Sequence, residues 1–412
     1  MSSKLRMLAV FTIVLILKAN IVLAEESVVL KLEDLVKVVD QHPALKIANT
    51  NTKIAEAEIG ITRQYPNPEI SASIGVGRAI DSSDSALIWG VELEIPIDAP
   101  GAYVKQTAAA KEKFRAEKYL VLAKRIEILR QIKGIGFKVA IGQEMLRVKK
   151  DSMEQILKLV EIAKLRVQHG EARAVEVARL EIEKEKMLAE VVAFEKNLLA
   201  MKSNLNLWFG GKFPTTFEVE ANWKDFPSLI SVEDAVQLAK DQHPSIKASK
   251  LKINAAIKNT KAEKHLLMPE MKLGAFYGRE LDAHNYGGML SVELPVWNWQ
   301  SGSIAKAQAE ELAARYRKTL LERELVEDIQ TVHAEASQSI GRAKRYSERI
   351  LPIAKKNVED IEAMYSIGEM DLIDVLDARR NLIETETNML AAFYQGWLSY
   401  LDLMMLMGEE NE

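Results

Sequence analysis

The tetrapeptide DQHP stands at residues 40–43 and again at residues 241–244, and this duplication decides how the whole chain is organised. Pro68-Glu69 recurs in the same way as Pro269-Glu270. Three glycine pairs keep the same spacing of 198 to 201 residues: Gly101 with Gly302, Gly170 with Gly368, and Gly210 with Gly408. Because the order of these features is the same in both halves, the sequence predicts an internal repeat. We place a first unit at residues 25–228 and a second at residues 229–412.

Residues 1–24 have the features of a cleaved signal peptide. Lys4 and Arg6 precede an apolar run over residues 7–17, and Val22-Leu23-Ala24 fits the small-residue cleavage rule. The apolar run is too short to span a bilayer as a helix. The sequence therefore predicts an exported protein.

Charge and cysteine content exclude several classes of function. The net charge of −4 becomes −7 once the signal peptide, with its three basic and no acidic residues, is removed. An acidic chain without a basic patch is a poor nucleic-acid binder. The absence of cysteine excludes disulfides, thiolate metal sites, a cysteine nucleophile and a lipidated N-terminal cysteine.

Long stretches are poor in glycine and proline and rich in Ala, Glu, Lys, Leu and Ile, which is typical of long helices. We predict helices over residues 33–64, 102–169 and 173–207 in the first unit, and over residues 233–266, 303–367 and 371–407 in the second. Each long helix would reach about 100 Å. The two shorter helices of a unit add up to the same length, so we expect them to lie end to end beside the long one. Pro352 should kink the second long helix.

Four segments alternate between apolar and small or polar residues, at residues 70–77, 87–95, 271–278 and 290–296. A half-buried sheet in a soluble protein alternates in the same way. Their length, their Ser, Gly and Glu face, and aromatic residues near their ends are also typical of transmembrane β-strands. On that interpretation Leu93 and Val292 face lipid and Ser73 faces the lumen. Four strands cannot close a membrane barrel, so several copies would have to share one.

The segment at residues 365–378, YSIGEMDLIDVLDA, resembles the signature of the TolC-like outer-membrane efflux proteins. The resemblance extends over the mature chain in two copies. Residues 65–69 (YPNPE) and 302–307 (GSIAKA) are similar to the branch that serves heavy-metal cation pumps. The resemblance implies a mainly α-helical protein with a small transmembrane β part. It also implies a homotrimer that forms a twelve-stranded β-barrel in the outer membrane. Long helical hairpins would extend this β-barrel as a helical barrel through the periplasm.

The same resemblance implies the function and the partners. The protein would be the exit duct of a tripartite efflux pump, with a periplasmic adaptor protein, an inner-membrane pump of the RND type and outer-membrane lipid as its partners. Two alternatives stay open: the same architecture could serve organic toxicants or type I polypeptide secretion, or the chain could be a soluble periplasmic coiled-coil scaffold. No catalytic motif is present and no cofactor is expected, so we do not predict an enzyme. The six histidines lack a metal-ligand spacing, and we expect no metal site.

The resemblance also assigns roles to residues at the two hairpin ends. Asp374 and Asp377 would be selectivity acids of the periplasmic gate, and Tyr365 a gate residue. Glu176 holds the position equivalent to Asp374 in the first unit. Asp374 and Glu176 also fit a simpler role: they lie near helix N-termini, where a carboxylate complements the helix dipole. The hairpin ends would contact the adaptor, through residues Gly170, Glu171, Gly368 and Glu369.

One position departs from the family pattern. Members carry a basic residue two positions after the second hairpin glycine, where it latches the closed state, and this chain has Met370 there. Arg173 and Arg179 on the first hairpin are the candidates to replace it.

Overall fold

The computed structural model describes residues 28–78, 85–97, 101–211, 213, 217–281, 283–293, 297 and 299–409. The predicted signal peptide lies outside the described residues. Within them the chain is mainly α-helical with a small β part, which confirms the predicted fold class. None of the described helices combines the length and the hydropathy of a transmembrane helix.

Both halves of the chain follow one order of elements. The first half contains β1 Val29–Lys31, α1 Leu32–Val36, α2 Pro43–Ile61, β2 Glu69–Arg78, β3 Ser85–Ile97, α3 Ala102–Gln168 and α4 Ala174–Trp208. The second half contains β4 Glu218–Glu220, α5 Val232–Gln242, α6 Pro244–His265, β5 Glu270–Glu280, β6 Ala283–Glu293, α7 Ser301–Arg345, α8 Leu351–Ser366 and α9 Leu372–Met407.

The predicted continuous helices over residues 33–64 and 233–266 are wrong, because each chain segment breaks at its His-Pro pair. His42 and His243 are N-caps, whose Nδ1 atoms accept hydrogen bonds from the backbone N–H groups of Ala44 (3.3 Å) and Ser245 (3.2 Å). The proline that follows each histidine takes the first helical position, where its missing N–H costs nothing. The DQHP repeat therefore starts a new helix in each half.

The second long helix is irregular close to Pro352. A π-helical turn, Tyr346–Ile350, separates α7 from α8 just before this proline. Proline lacks an N–H donor and its ring crowds the preceding turn, so a helix containing one must adjust locally. The predicted kink stays a prediction, and the structure shows a π turn just before Pro352.

Each half builds a column in which shorter helices lie beside a long one. Helices α2 and α4 pack on α3, which has 67 residues, while α6 and α9 pack on α7 and α8. At 1.5 Å per residue α3 is about 100 Å long. This confirms the predicted end-to-end arrangement. Helix α3 also packs on α6 and α9, which joins the two halves side by side.

The four longer strands form one antiparallel sheet in the order β2-β3-β5-β6. The register pairs Ile70 with Leu93, Leu93 with Ala275, and Met271 with Val292, so the described members of the four predicted apolar sets share one face. Ser73, paired with Gly90, lies on the other face. Strand β6 begins earlier than predicted, and residues 294–296 of the predicted strand lie outside the described residues.

A second, two-stranded sheet was not expected from the sequence. Strand β1 pairs with β4 in parallel, with Leu30 opposite Val219, and both side chains are buried. The Gln143 amide on α3 accepts from the N–H of Val219 at 2.9 Å and donates to its carbonyl at 3.1 Å. Strands of three residues are too short to show alternation, so no periodic signal announces them.

Candidate functional site

The two hairpin ends, where α3 turns into α4 and α8 turns into α9, have the same backbone geometry. Gly170 and Gly368 adopt left-handed conformations with φ of 77° and 83°. The N–H of Glu171 bonds the Arg166 carbonyl at 2.9 Å, and the N–H of Glu369 bonds the Met364 carbonyl at 2.9 Å. These are Schellman turns, in which a glycine at the left-handed position satisfies the last free carbonyls of a helix.

The ends of the two hairpins pack on each other within one chain. Their shared apolar core contains Leu180 from the first hairpin and Val375 from the second, both fully buried. Tyr365, predicted as a gate residue, is the largest member and is only 2% exposed. Met370, at the position where the family pattern has a basic residue, packs against this core as an apolar side chain.

Arg166 and Glu176 hold Tyr365 from the first hairpin. The Arg166 guanidinium donates to the Tyr365 carbonyl oxygen at 2.9 Å and lies over the Tyr365 ring, 4.7 Å from its centroid. The Tyr365 hydroxyl donates to Oε2 of Glu176 at 3.3 Å. We call Arg166, Tyr365 and Glu176 the tip cluster. Burial, together with the negative charge of Glu176, raises the pKa of Tyr365, so the tyrosine stays a neutral donor.

The replacement of the missing basic residue by Arg173 or Arg179 stays a prediction. Arg173 precedes α4, where its N–H donates to Oε1 of Glu176 at 3.4 Å, and Arg179 is exposed on α4. Arg166 contacts the second hairpin within one chain, a role that was not predicted from the sequence. One signal was available: the equivalent position in the second unit is Met364, so the two units differ there in charge.

The predicted acids have different surroundings. Glu176 and Asp374 both occupy the third position of their helices, α4 and α9. The Glu176 carboxylate is engaged by the Arg173 N–H and the Tyr365 hydroxyl, as a helix-capping acid. Asp374 is exposed to solvent. Asp377 is also exposed, and its Oδ1 lies 3.7 Å from Nη1 of Arg380.

A second polar contact joins the hairpins further from their ends. Arg380 on α9 donates to both carboxylate oxygens of Glu183 on α4, from Nε at 3.2 Å and from Nη2 at 2.9 Å. This two-pronged geometry is the strong form of an arginine–carboxylate pair. The Arg380 guanidinium lowers the pKa of Glu183, so the pair is fully charged near neutral pH.

The outermost residues of both turns are accessible. Glu171 and Glu369 are exposed next to their glycines, and Ile367 is 69% exposed at the second turn. The described residues contain no group of three His, Asp or Glu side chains that could hold a metal ion. Of the histidines, His42 and His243 cap helices, and Nε2 of His333 lies 2.8 Å from the Ile230 carbonyl oxygen.

Comparisons with known proteins agree with this architecture. The profile of the family described as "Outer membrane efflux protein" matches residues 35–211 and 235–409. The cobalt-zinc-cadmium resistance protein CzcC of Cupriavidus metallidurans is 21% identical over 372 residues, covering 88% of this chain and 87% of that protein. Outer membrane protein TolC of Vibrio cholerae is 23% identical over 368 residues, covering 84% of this chain and 83% of that protein.

Solved structures share the fold at low sequence identity. The crystal structure of CusC superposes with a TM-score of 0.70 at 17% identity, covering 92% of each chain. The outer membrane protein VceC of Vibrio cholerae gives a TM-score of 0.72 at 16% identity, covering 92% of this chain and 96% of that one. The family match leaves residues 212–234 between its two parts, and the predicted boundary at 228/229 stays a prediction.

Proposed function

This chain belongs to the outer membrane efflux protein family, and on that premise we propose that it is the exit duct of a tripartite efflux pump for heavy-metal cations. The observation that carries the proposal is the union, in one chain, of a four-stranded sheet with two helical columns. The strands have the length of transmembrane β-strands. The columns, about 100 Å long, have the reach of a periplasmic conduit.

The sheet itself supports assembly into a homotrimer. Strands β2 and β6 are its two edges, and each edge presents backbone groups that need a partner. Lipid does not tolerate an open edge, and membrane barrels begin at eight strands. Three copies of a four-stranded sheet close a barrel of 12 strands, with β2 of one copy beside β6 of the next.

The register supports a lipid-facing and a lumenal side. Leu93 and Val292 lie on the apolar face that we assign to lipid, and Ser73 lies on the opposite face. Leu93→Arg should cost about 2–4 kcal/mol per chain at the midplane and reduce the heat-stable trimer. The matched control Ser73→Arg should leave it largely intact. Equal losses in both variants would contradict the assignment of faces.

The hairpin ends are the proposed contact with the adaptor protein, which would link the duct to an inner-membrane pump of the RND type. Glu171, Glu369 and the neighbouring Ile367 are exposed at the end farthest from the strands. Glu171→Lys and Glu369→Lys should weaken crosslinking to the adaptor while the trimer stays intact. An undiminished crosslink would exclude these residues as the contact.

Two observations support metal cations as the cargo. The relative CzcC is named for resistance to cobalt, zinc and cadmium. The lumenal face of the sheet carries Glu69, Glu92 and Glu94, and rings of carboxylates are how pores favour cations. Membership of an efflux channel family argues against the soluble scaffold and against an enzyme. Organic toxicants as the cargo are tested by the same experiment.

The decisive test is a deletion strain challenged with a panel of metal salts and, in parallel, with organic toxicants. We expect hypersensitivity to divalent heavy-metal cations, restored by the native chain and not by the Leu93→Arg variant. Sensitivity to organic compounds alone would overturn the metal assignment while keeping the duct. Unchanged resistance to the whole panel would overturn the efflux function.

A further inference from the structure

Charged side chains are divided unequally between the two faces of the four-stranded sheet. The register places Glu69, Glu92, Glu94, Lys272, Glu280 and Glu293 on the face of Ser73. Contacts support this placement, since Ser71 Oγ donates to Glu92 at 3.4 Å and Lys272 Nζ lies 3.5 Å from Glu94. The opposite, apolar face carries only basic residues among the described strands: Arg78, Arg279 and His284.

These three basic residues also share one end of the sheet. Arg78 is the last residue of β2, Arg279 the next to last of β5, and His284 the second of β6. Arg279 and His284 are direct cross-strand partners, and all three side chains are exposed. The helices begin at the other end of the strands. The basic residues therefore lie at the end that leads away from the helical columns.

Aromatic residues lie beside these basic residues on the apolar face. Trp89 is the cross-strand partner of Arg279, and its ring centroid lies 5.7 Å from that of Tyr277. Tyr277 pairs across the strands with Tyr286, and its hydroxyl lies 3.2 Å from Nδ1 of His284. Aromatic rows of this kind stand at the boundary between hydrocarbon and headgroups. The basic side chains lie at and beyond that row, where headgroup phosphates are found.

We propose that Arg78, Arg279 and His284 bind the phosphate groups of anionic lipid in the exit-side leaflet. The inference rests on the proposed membrane barrel. The planar guanidinium fork matches phosphate oxygens two at a time. Basic clusters beside a membrane-spanning segment are a recognised basis for headgroup binding. With all described acids of the strands on the other face, no carboxylate of this sheet competes for the two arginines from the lipid side.

The test compares the double variant Arg78→Gln/Arg279→Gln with Lys272→Gln, a matched loss of a cation from the lumenal face. Purified trimers are placed in nanodiscs of phosphatidylcholine containing lipid A, extracted, and the retained lipid A is counted by native mass spectrometry. We expect the double variant to lose lipid A severalfold, and Lys272→Gln to retain it as the native protein does. Arg78→Lys/Arg279→Lys should retain an intermediate amount, because the charge stays and the fork is lost.

Two further measurements distinguish a failure of the lipid site from a failure of the proposed barrel. A heat-stable trimer with native conductance in the double variant shows that the barrel has formed, so a loss of lipid then reports on the arginines alone. Equal retention in the assembled double variant, or equal loss in Lys272→Gln, would overturn the lipid site. Displacement of bound lipid A by millimolar inorganic phosphate would identify a site for free phosphate and would overturn the lipid assignment as well.

Discussion

The two hairpin ends have the same backbone conformation but different side chains. Both close through a Schellman turn with a left-handed glycine, Gly170 in one and Gly368 in the other. Four residues before the glycine the first hairpin has Arg166 and the second Met364. The two units thus have the same turn but different side chains. The first hairpin contributes Arg166 and Glu176, and the second contributes Tyr365, to which both of them bind.

This division suggests how the proposed gate is latched. In the structure the second hairpin is attached to the first by the tip cluster and, farther along, by Arg380 and Glu183. Opening the entrance by moving one hairpin past the other would have to break these contacts.

Arg166→Ala should have the largest effect. It removes a hydrogen bond from a charged donor, of the order of 1.5–3 kcal/mol, and a cation–π contact of about 0.5–1 kcal/mol. We expect a larger conductance in planar bilayers because the second hairpin is released. Met364→Ala at the equivalent position is the control and should leave the conductance near the native value. Equal conductance in native and Arg166→Ala trimers would show that Arg166 is not part of a latch.

Asp374 and Glu176 should respond differently to loss of charge. Asp374 is exposed, so Asp374→Asn should weaken block of the current by divalent cations, by roughly tenfold or about 1.4 kcal/mol, if it forms the proposed ring. Glu176→Gln should change the block less and the conductance more, because its carboxylate is already bound to Tyr365 and the Arg173 N–H. Block that stays native in the double variant would rule out both acids as the cation site.

Tyr365→Phe should have a moderate effect. The ring, its packing and its contact with Arg166 remain, and only the hydrogen bond to Glu176 is lost. At 3.3 Å this bond is long for a hydroxyl donor, so we expect its loss to cost only about 1 kcal/mol although the acceptor is charged. Hydrogen exchange at the end of α8 should become modestly faster. A change as large as that of Arg166→Ala would mean that the hydroxyl, rather than the guanidinium, is the main attachment.

Acid should loosen the Arg380–Glu183 contact, with the smallest effect of the four. Because Arg380 lowers the pKa of Glu183, the stabilisation is fully present above the ordinary value of 4.5 and is lost as the pH falls through the lower folded value. Exchange protection of α9 near this pair should therefore be constant around neutral pH and fall only below pH 4.5. Glu183→Gln should remove that pH dependence. If exchange protection in this variant still falls in acid as in the native protein, other groups cause the pH dependence.

The repeat could be predicted from recurring residues. The alternation of the strands and the bounds of Ala102–Gln168, Ala174–Trp208 and Leu372–Met407 could be predicted from local pattern. The interruption at each His-Pro pair was missed, although a proline inside a helix-forming stretch is itself a signal that one helix ends or a new one starts. Arg166 could not be assigned from local pattern, since its partner Tyr365 is nearly two hundred residues away along the chain. Only the packing of the two hairpins brings them together. Comparing equivalent positions of the two units would have singled out Arg166.

A distance measurement can show whether Arg166 holds the second hairpin against the first. The chain has no cysteine, so Glu171→Cys and Glu369→Cys introduce the only two sites for spin labels. Trimers with one labelled copy among unlabelled ones report the distance between the two hairpin ends of a single chain by pulsed electron resonance. We predict a narrow distribution in the native and Met364→Ala backgrounds and a broader, longer one in Arg166→Ala. The same narrow distance distribution in all three backgrounds would show that Arg166 does not hold the second hairpin against the first.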